Sequence, residues 1–348
     1  MASTKLIGNQ SRDEQDQARQ EEDQQLILSL PKENGWMPFE YYYYFQGFWC
    51  PSDLIQSVNS FQKYFLAKDN DVIVSSLPKA GTTWMKALTF AIVNRNNFPS
   101  FDDHPLLKSI SHDLVPYFEF NVYGTGDICD RFPQVDSSKM IEPRIFGTHI
   151  PFHSLAKSIK KSNCKIIYIS RNPFDNFVSA WFFANKARSN HQSLQNLSLE
   201  EAFENYCKGI TPFGSFWDHN LGYLNESIIR SEKVLFLKYE NLREEPILYV
   251  NKIADFLGFP FTREEKNNKV IENIIDLCDF EKMKELEVNK SETLMQNIDN
   301  KFFFRKAQVG DWRNYFSSLM EEKLSKVVEE KLGGSKIKLE WPLHTSNK

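Results

Sequence analysis

The chain has 348 residues, of which 42 are Lys or Arg and 46 are Asp or Glu, so its formal net charge is −4. That balance gives no reason to expect nucleic acid or another polyanion as a partner. Hydrophobic residues make up 41% of the sequence and charged residues 25%, which excludes a wholly disordered, collagenous or fibrous protein. We expect one folded domain, because α/β enzymes often build a single sheet over about 300 residues.

The amino-terminal segment is strongly polar. Residues 1–24 are rich in Gln, Asp, Glu and Arg, which predicts a disordered tail in front of a domain over residues 25–345. The segment lacks the hydrophobic core of a secretory signal, and no stretch approaches the roughly 18 apolar residues needed to cross a membrane. We therefore expect a cytoplasmic protein without membrane contact. The five cysteines include no CxxC pair, so neither a disulfide framework nor a zinc site is expected.

Short apolar runs with polar ends predict buried strands of a parallel sheet, at residues 71–76, 165–170 and 233–238. Helical patterns follow them, the clearest from Thr82 to Arg95. This repetition predicts an α/β fold in which helices flank a central parallel sheet and ligands bind at the carboxyl ends of the strands. Polar stretches at about 121–139, 185–198 and 284–301 are interpreted as long loops that could form pocket walls or lids.

The turn after the first strand, from Leu77 to Trp84, is a candidate anion-binding loop. Gly81 frees the turn from Cβ constraints, and the backbone N–H groups of about residues 80–84 would point from the helix start toward an anion. Lys79 adds a positive charge. A capped helix start would explain the same residues. Because Lys79 precedes the glycine, the loop is not a Walker A loop, and a P-loop kinase or triphosphatase is disfavoured.

Two further basic groups are candidate phosphate contacts. Arg171 stands just before Pro173, which suits a first helical turn, and Ser179 follows about two turns later. An ion pair between Arg171 and Asp175 is the structural alternative. The second group, Arg305 with Lys306, lies where a late loop could fold back over a ligand, and a solvated charge pair would explain it equally well.

Together these segments resemble the cytosolic sulfotransferases, which use 3′-phosphoadenosine 5′-phosphosulfate as donor. The matching segments, in the family's order, are LPKAGTTW, FGTHIPF, YISRNPFDNFVSAW, FGSFWDHNLGY, LFLKYENLREEP and FRKAQVGDW. The resemblance covers roughly residues 30–340, and FQGFWC with LEVNKS looks most like the plant branch. It implies a single α/β domain that transfers a sulfuryl group from the donor to a hydroxyl of a small acceptor, without a metal.

The resemblance also implies the donor site. The implied contacts are Lys79, Ala80, Gly81, Thr82, Thr83 and Trp84 for the 5′-phosphosulfate, Arg171, Ser179, Arg305, Lys306 and Ala307 for the 3′-phosphate, and Trp84, Tyr239, Cys278 and Phe280 for adenine. Ala307 and Asp279 depart from the family, which commonly has Gly at the first position and a small or hydroxylated residue at the second. We expect the methyl group of Ala307 to be tolerated at a negative φ.

For catalysis, His149 matches the family's general base, and Lys79 is placed to stabilise charge on the leaving 5′-phosphate. A lone histidine is more often structural, so the assignment depends on the resemblance. Animal members often carry Lys where Gly147 stands, so any role of that lysine must be absent or supplied elsewhere. The departures at Ala307 and Asp279 support an alternative, a catalytically weakened nucleotide-binding or interaction protein.

The acceptor pocket is implied by aromatic residues. Tyr117, Phe120 and Phe183 match family positions that face the acceptor, while Tyr43 and Phe45 could close the mouth of the pocket. Core packing would explain these rings as well. The resemblance implies a flavonoid, a hydroxyjasmonate or a similar small hydroxyl compound as acceptor, and a monomer or weak homodimer.

Overall fold

The computed structural model describes residues 27–36, 39, 41–190, 195–295 and 298–333. The predicted polar tail, residues 1–24, lies outside the described residues. The strands are β1 (Lys32–Asn34), β2 (Tyr41–Phe45), β3 (Phe48–Pro51), β4 (Val72–Ser75), β5 (Ile145–Thr148), β6 (Lys165–Ser170), β7 (Val234–Lys238), β8 (Thr293–Met295) and β9 (Ile298–Asp299).

The helices complete the fold, together with a π-helical turn at Phe118–Val122. They are α1 (Ile55–Tyr64), α2 (Thr82–Asn94), α3 (Ser111–Leu114), α4 (Asp127–Arg131), α5 (Lys157–Lys161), α6 (Pro173–Ser189), α7 (Leu199–Cys207), α8 (Phe216–Ile229), α9 (Tyr239–Glu244), α10 (Pro246–Leu257), α11 (Arg263–Asn267), α12 (Val270–Leu277), α13 (Phe280–Glu285), α14 (Glu287–Ser291) and α15 (Ser318–Leu332).

A four-stranded parallel sheet in the order β5-β4-β6-β7 lies at the centre. Every residue of β4 and β5 is buried, as expected for strands that helices cover on both faces. Successive residues face opposite sides of the sheet: Ile73 packs into one hydrophobic core and Val74 into the other. The predicted fold class, a single α/β domain with a central parallel sheet, is confirmed.

The three predicted strands are confirmed as β4, β6 and β7, and the predicted helix as α2. The sequence interpretation missed β5, because its short apolar run includes Gly147, a residue that weakens a strand signal. The prediction of three long loops was wrong in part. Those stretches contain α4, the end of α6, α14 and the β8–β9 pair, which are short elements with few buried residues and little apolar periodicity.

The carboxyl ends of the four parallel strands converge at one edge of the sheet, and each leads directly into a segment with candidate site residues. β4 leads to the loop at Leu77–Gly81, β5 to His149, β6 to Arg171 and β7 to Tyr239. This edge is where open α/β sheets bind their ligands. Beside it lies the antiparallel sheet β1-β2-β3, in which Trp49 exchanges backbone hydrogen bonds with Phe213 and Gly214.

Candidate active site

A cavity opens at this edge of the sheet. Most of the residues predicted to bind donor or acceptor line it, namely Lys79, Gly81, Thr82, Thr83, Trp84, Tyr117, Phe120, His149, Arg171, Ser179, Phe183, Tyr239, Phe280, Arg305, Lys306 and Ala307. The structure does not place Ala80, Cys278, Tyr43 or Phe45 on the wall of the cavity. The segments that carry the lining residues are far apart in sequence, and the parallel sheet brings them together.

The loop between β4 and α2 presents backbone donors to the cavity. The first intrahelical bond runs from the N–H of Met85 to the Gly81 carbonyl at 3.0 Å, so the N–H groups of Thr82, Thr83 and Trp84 lack an acceptor within α2. A helix start of this kind attracts an anion. Ala80 does not take part, because its N–H donates to the Leu77 carbonyl within the turn, at 3.2 Å.

Gly81 is required by the geometry of this loop. Its φ of 112° lies in the left-handed region, and a Cβ there would lie 2.8 Å from the Tyr239 ring. The side chain of Lys79 extends over the Phe183 ring, with Nζ 4.1 Å from the ring centroid. Burial, followed by the positive charges of Arg171 and Arg305, lowers the pKa of Lys79 to about 7. A bound anion would oppose that repulsion and favour the charged amine.

Arg171 follows β6 and faces the cavity from a buried position. Its guanidinium donates to the Gln308 carbonyl at 2.9 Å and lies 4.7 Å from the centroid of the Tyr239 ring. Its Nε is buried without a hydrogen-bond partner among the described residues, so a ligand acceptor would satisfy it. The alternative pairing with Asp175 is not formed, because that carboxylate accepts the N–H groups of Gly310 and Trp312 at 2.7 and 3.1 Å.

Arg305 and Lys306 are held by one buried carboxylate. Both pair with Asp311, with N···O distances of 2.6 and 2.8 Å, and Lys306 also contacts the Tyr315 hydroxyl at 3.3 Å. The charge-pair interpretation of this segment is therefore correct in part. Since both side chains also line the cavity, the pairing fixes two cations in a position to meet an anionic ligand.

The backbone conformation of Ala307 differs from the prediction. Its φ is 52°, in the left-handed region, whereas we predicted a negative value. The chain has this conformation because its neighbours are fixed: the Ala307 carbonyl accepts from the Tyr239 hydroxyl at 3.1 Å, and the Gln308 carbonyl accepts from Arg171. Asp279, whose presence the sequence left unexplained, caps α13, and its carboxylate accepts the N–H groups of Glu281 and Lys282.

Adenine-site candidates fall into two groups. Trp84 and Tyr239 meet edge to face, with centroids 5.5 Å apart, and line the cavity together with Phe280. Cys278 is fully buried in the core beneath α12 and α13, so its thiol does not reach the cavity wall. The prediction of a contact through the Cys278 side chain is therefore not supported, because the chain turns this residue inward at the end of α12.

His149 follows β5 and is buried except for its cavity face. Its Nδ1 lies 2.8 Å from the Ser76 carbonyl, an atom that can only accept, so the proton resides on Nδ1 and Nε2 carries the lone pair. The Tyr117 and Phe213 rings flank the imidazole at centroid distances of 4.9 and 5.4 Å. Burial is the main reason that the pKa of His149 falls to about 3, so the imidazole is neutral near pH 7.

Polar contacts behind the ring fix the histidine. The Glu119 carboxylate accepts the His149 backbone N–H at 2.6 Å and the Thr148 hydroxyl at 3.0 Å. On the other side, the His149 carbonyl accepts from Nε2 of His219 at 2.9 Å. Burial raises the pKa of Glu119 to about 7. None of these supporting groups was identified from the sequence, where single polar residues carry no signal of contact.

The part of the cavity beside His149 has mostly aromatic and aliphatic walls. Residues of the whole cavity wall that sequence reasoning missed are Phe39, His112, Phe132, Pro212, Phe213, Met283, Leu294, Ile298 and Phe303. The segment HDLVPYFEF, which resembles the family, contained a signal for His112, but no pattern singled out the others. Tyr43 and Phe45 do not close the mouth: β2 turns them into the core, where Phe45 packs on Phe48.

Two kinds of feature are absent from the described ranges. Within residues 27–36, 39, 41–190, 195–295 and 298–333, no three His, Cys, Asp or Glu side chains are grouped as metal ligands. None of the helices in these ranges is long and apolar enough to cross a membrane.

Comparison with known proteins gives consistent matches. The sulfotransferase domain family matches residues 69–336. Cytosolic sulfotransferase 15 of Arabidopsis thaliana is 47% identical over 325 residues, which cover 92% of this chain and 88% of that protein. The crystal structure of a candidate steroid sulphotransferase from Arabidopsis thaliana has a TM-score of 0.70 and 36% identity, with 90% and 94% of the chains covered. Mouse sulfotransferase SULT7A1, crystallised with PAP, shares the fold at 24% identity, a TM-score of 0.64 and coverages of 84% and 94%. This chain therefore belongs to the sulfotransferase family.

Proposed function

We propose that the protein transfers a sulfuryl group from 3′-phosphoadenosine 5′-phosphosulfate to a hydroxyl of a small acceptor, with His149 as the general base. One observation carries the proposal: the imidazole holds its proton on Nδ1, against Ser76, and faces the cavity that the Lys79 loop also lines. Nε2 is therefore the ring nitrogen able to accept a proton from an acceptor hydroxyl.

The donor carries anionic groups at two positions, and the cavity offers two matching cationic sites. The 5′-phosphosulfate would lie on Lys79 and on the N–H groups at the start of α2. The 3′-phosphate would lie between Arg171, with its unsatisfied Nε, and the paired cations Arg305 and Lys306. Adenine would lie against Trp84, Tyr239 and Phe280. Rings at these positions suit a flat base.

The reaction then follows from the arrangement of the charges. Nε2 of His149 removes the acceptor proton as the oxygen attacks sulfur, and the bond from sulfur to the 5′-phosphate oxygen breaks. Negative charge develops on that leaving oxygen, where Lys79 and the start of α2 stabilise it. An acceptor bound against the apolar walls around His149 would exclude water, which would strengthen each of these interactions.

The aromatic and aliphatic wall beside His149 supports an acceptor whose body is largely apolar. Tyr117, Phe120 and Phe183 lie on this wall, as do Phe213 and Phe303. A flat flavonoid and a compact hydroxyjasmonate would contact it differently, since stacked rings bind a planar body best. We propose that the acceptor belongs to this range of small hydroxyl compounds.

Domain limits and location belong to the same proposal. We place the catalytic domain at residues 25–345, which encloses the family match at 69–336, with residues 1–24 as a tail. A cytoplasmic location is supported by the name of the Arabidopsis relative.

The proposal is tested by incubating the protein with radiolabelled sulfate donor and a panel of flavonols, hydroxyjasmonates and steroids. We expect a labelled product with at least one panel member. His149→Ala should reduce transfer by about 10²-fold or more, because the base is lost, and should leave affinity for the desulfated nucleotide nearly unchanged. Wild-type turnover in the variant would exclude His149 as the base. Nucleotide binding by the wild type without transfer would favour the weakened-enzyme alternative.

A further inference from the structure

The strand β5 leaves a gap beside the catalytic histidine, and a lysine from another element fills it. A Cβ built on Gly147 would overlap Cε of Lys86 and would lie 2.5 Å from its Nζ. Lys86 belongs to α2 and is fully buried, so its amine reaches the site from inside the protein. A buried amine is costly unless specific partners hold it, so its neighbours indicate its role.

Lys86 ends in a cluster between the donor loop and the acceptor wall. Its Nζ lies 3.3 Å from Nδ1 of His112 and 2.9 Å from the centroid of the Tyr117 ring. Nε2 of the same histidine lies 3.1 Å from Oγ1 of Thr83. Thr83 and His112 both line the cavity, whereas Lys86 stands behind them.

The direction of these hydrogen bonds follows from donor and acceptor chemistry. The Lys86 amine lies over the face of the Tyr117 ring, a position that favours its ammonium form. An ammonium group can only donate, so in that form Nδ1 of His112 accepts from Lys86 and the imidazole proton resides on Nε2. That N–H donates to Oγ1 of Thr83, which leaves the hydroxyl hydrogen of Thr83 to be donated into the cavity. The hydroxyl of Ser111 donates to the Thr83 carbonyl at 2.8 Å and fixes the backbone of the same residue.

The electrostatic surroundings agree with a neutral imidazole. Burial, followed by the charge of Lys86, holds the pKa of His112 well below its usual value. Burial also lowers the pKa of Lys86, and the carboxylates of Glu119 and Asp113 partly oppose that change. His112 is therefore a fixed hydrogen-bond relay and not a second proton acceptor.

We propose that Lys86 and His112 are positioning residues that direct the hydroxyl hydrogen of Thr83 toward the phosphosulfate of the donor. The inference rests on the proposed donor site. It makes Gly147 a residue of functional importance, because any side chain there would displace the amine of Lys86.

A first experiment measures the tautomer of His112 directly and does not depend on enzyme activity. In protein labelled with ¹⁵N-histidine, long-range ¹H–¹⁵N correlation spectra should show His112 as the Nε2–H tautomer, with His112→Phe assigning its signals. In Lys86→Met the Nδ1 partner is lost, and the two tautomers should average. A wild-type Nδ1–H tautomer, or an unchanged signal in Lys86→Met, would overturn the proposal even if the protein proves to be a sulfotransferase.

A second experiment compares the kcat of single and double variants, to test whether Thr83, His112 and Lys86 act through one hydroxyl. We expect Thr83→Val, His112→Phe and Lys86→Met each to lower kcat about tenfold, as for one lost hydrogen bond in the transition state. The double variant of Thr83→Val with Lys86→Met should be no slower than Thr83→Val alone, because both act through one hydroxyl. Lys252→Met on α10 is the matched control and should retain wild-type kcat. Additive losses would overturn the relay, whereas failure of the wild type to bind desulfated nucleotide would refute the donor site itself.

Discussion

Three residues of the cavity hold left-handed backbone conformations although each carries a Cβ: φ is 67° at Lys79, 62° at Phe213 and 52° at Ala307. Such a conformation costs an ordinary residue roughly 1–2 kcal/mol. At each position the residue presents a group to the cavity: a cation at Lys79, an aromatic ring beside His149 at Phe213, and a backbone group at Ala307. Strain of this kind is typical of functional segments.

The strain at Ala307 leads to a prediction about stability. Because this conformation exists without nucleotide, its cost falls on folding and not on binding. We expect Ala307→Gly to raise the free energy of unfolding by about 0.5–1 kcal/mol, after allowing for the greater entropy of unfolded glycine. Affinity for the desulfated nucleotide should change by less than about tenfold. Denaturant unfolding and calorimetric titration measure the two quantities.

The matched control is Ala202→Gly, at a buried alanine inside the helix α7, where the backbone is right-handed. There the same substitution relieves no strain and should lower the free energy of unfolding. If Ala307→Gly also destabilised the protein, or tightened nucleotide binding strongly, strain at Ala307 would not act as described.

Lys79 leads to a prediction about pH. Its pKa of about 7 in the free protein means that much of the amine is neutral above that pH. A bound phosphosulfate favours the ammonium form, so binding takes up a proton, and affinity must fall as pH rises through the range above 7. We expect affinity for the desulfated nucleotide to weaken steadily between about pH 7.5 and 9, where the phosphates are already ionised.

The control for this effect is Lys79→Arg, which stays charged over the whole range. Its affinity should depend little on pH, even if the longer side chain weakens binding overall. Proton uptake can be read directly by calorimetry in buffers that differ in ionisation enthalpy. Equal pH dependence in the two proteins would show that another group is responsible.

At the scale of elements, the turn from β4 into α2 brings the backbone of Gly81 so close to the Tyr239 ring that a side chain at position 81 would not fit. Gly81→Ala introduces left-handed strain and places a Cβ 2.8 Å from the Tyr239 ring, which follows β7. We expect loss of nucleotide affinity by tenfold or more, because the ring or the loop must move. Gly258→Ala is the control: its φ of 81° gives similar strain, but no atom lies within 4 Å of the new Cβ. That variant should be less stable yet bind nucleotide normally, and equal binding losses would contradict the contact model.

The sequence predicts those features that are marked by residues close together in the chain, and it misses those that depend on contacts between distant elements. The strand β6 and the start of α6 are marked by an apolar run, by Arg171 and by Pro173, and they were placed correctly. By contrast, Tyr43 and Phe45 looked suitable for a pocket, and only the pairing of β2 with β3 turns them into the core. Similarly, no local pattern could show that Lys86 occupies the space beside Gly147, since that contact joins two elements.

At the scale of the whole molecule, one late loop closes the nucleotide cavity, although about 130 residues separate it from the β6–α6 junction. Three contacts hold it there: Arg171 binds the Gln308 carbonyl, and Asp175 accepts the N–H groups of Gly310 and Trp312. The loop in turn carries Arg305 and Lys306, held by Asp311. The second cationic site is thus assembled by long-range packing around the first helical turn of α6.

The last prediction follows from this assembly. Asp175→Ala leaves two backbone N–H groups, those of Gly310 and Trp312, without their acceptor, at a cost of about 1–3 kcal/mol for each group that stays buried. The loop should open to avoid that cost, which would move Arg305 and Lys306 away from the proposed 3′-phosphate site. We expect nucleotide affinity to fall by tenfold or more, and the Gly310 and Trp312 amides to exchange hydrogen faster while amides of β4 and β6 stay protected. Asp218→Ala, at an exposed carboxylate in α8, is the control and should change neither measurement. If Asp175→Ala kept wild-type affinity for an analogue with the 3′-phosphate, the late loop would not be the clamp on that group.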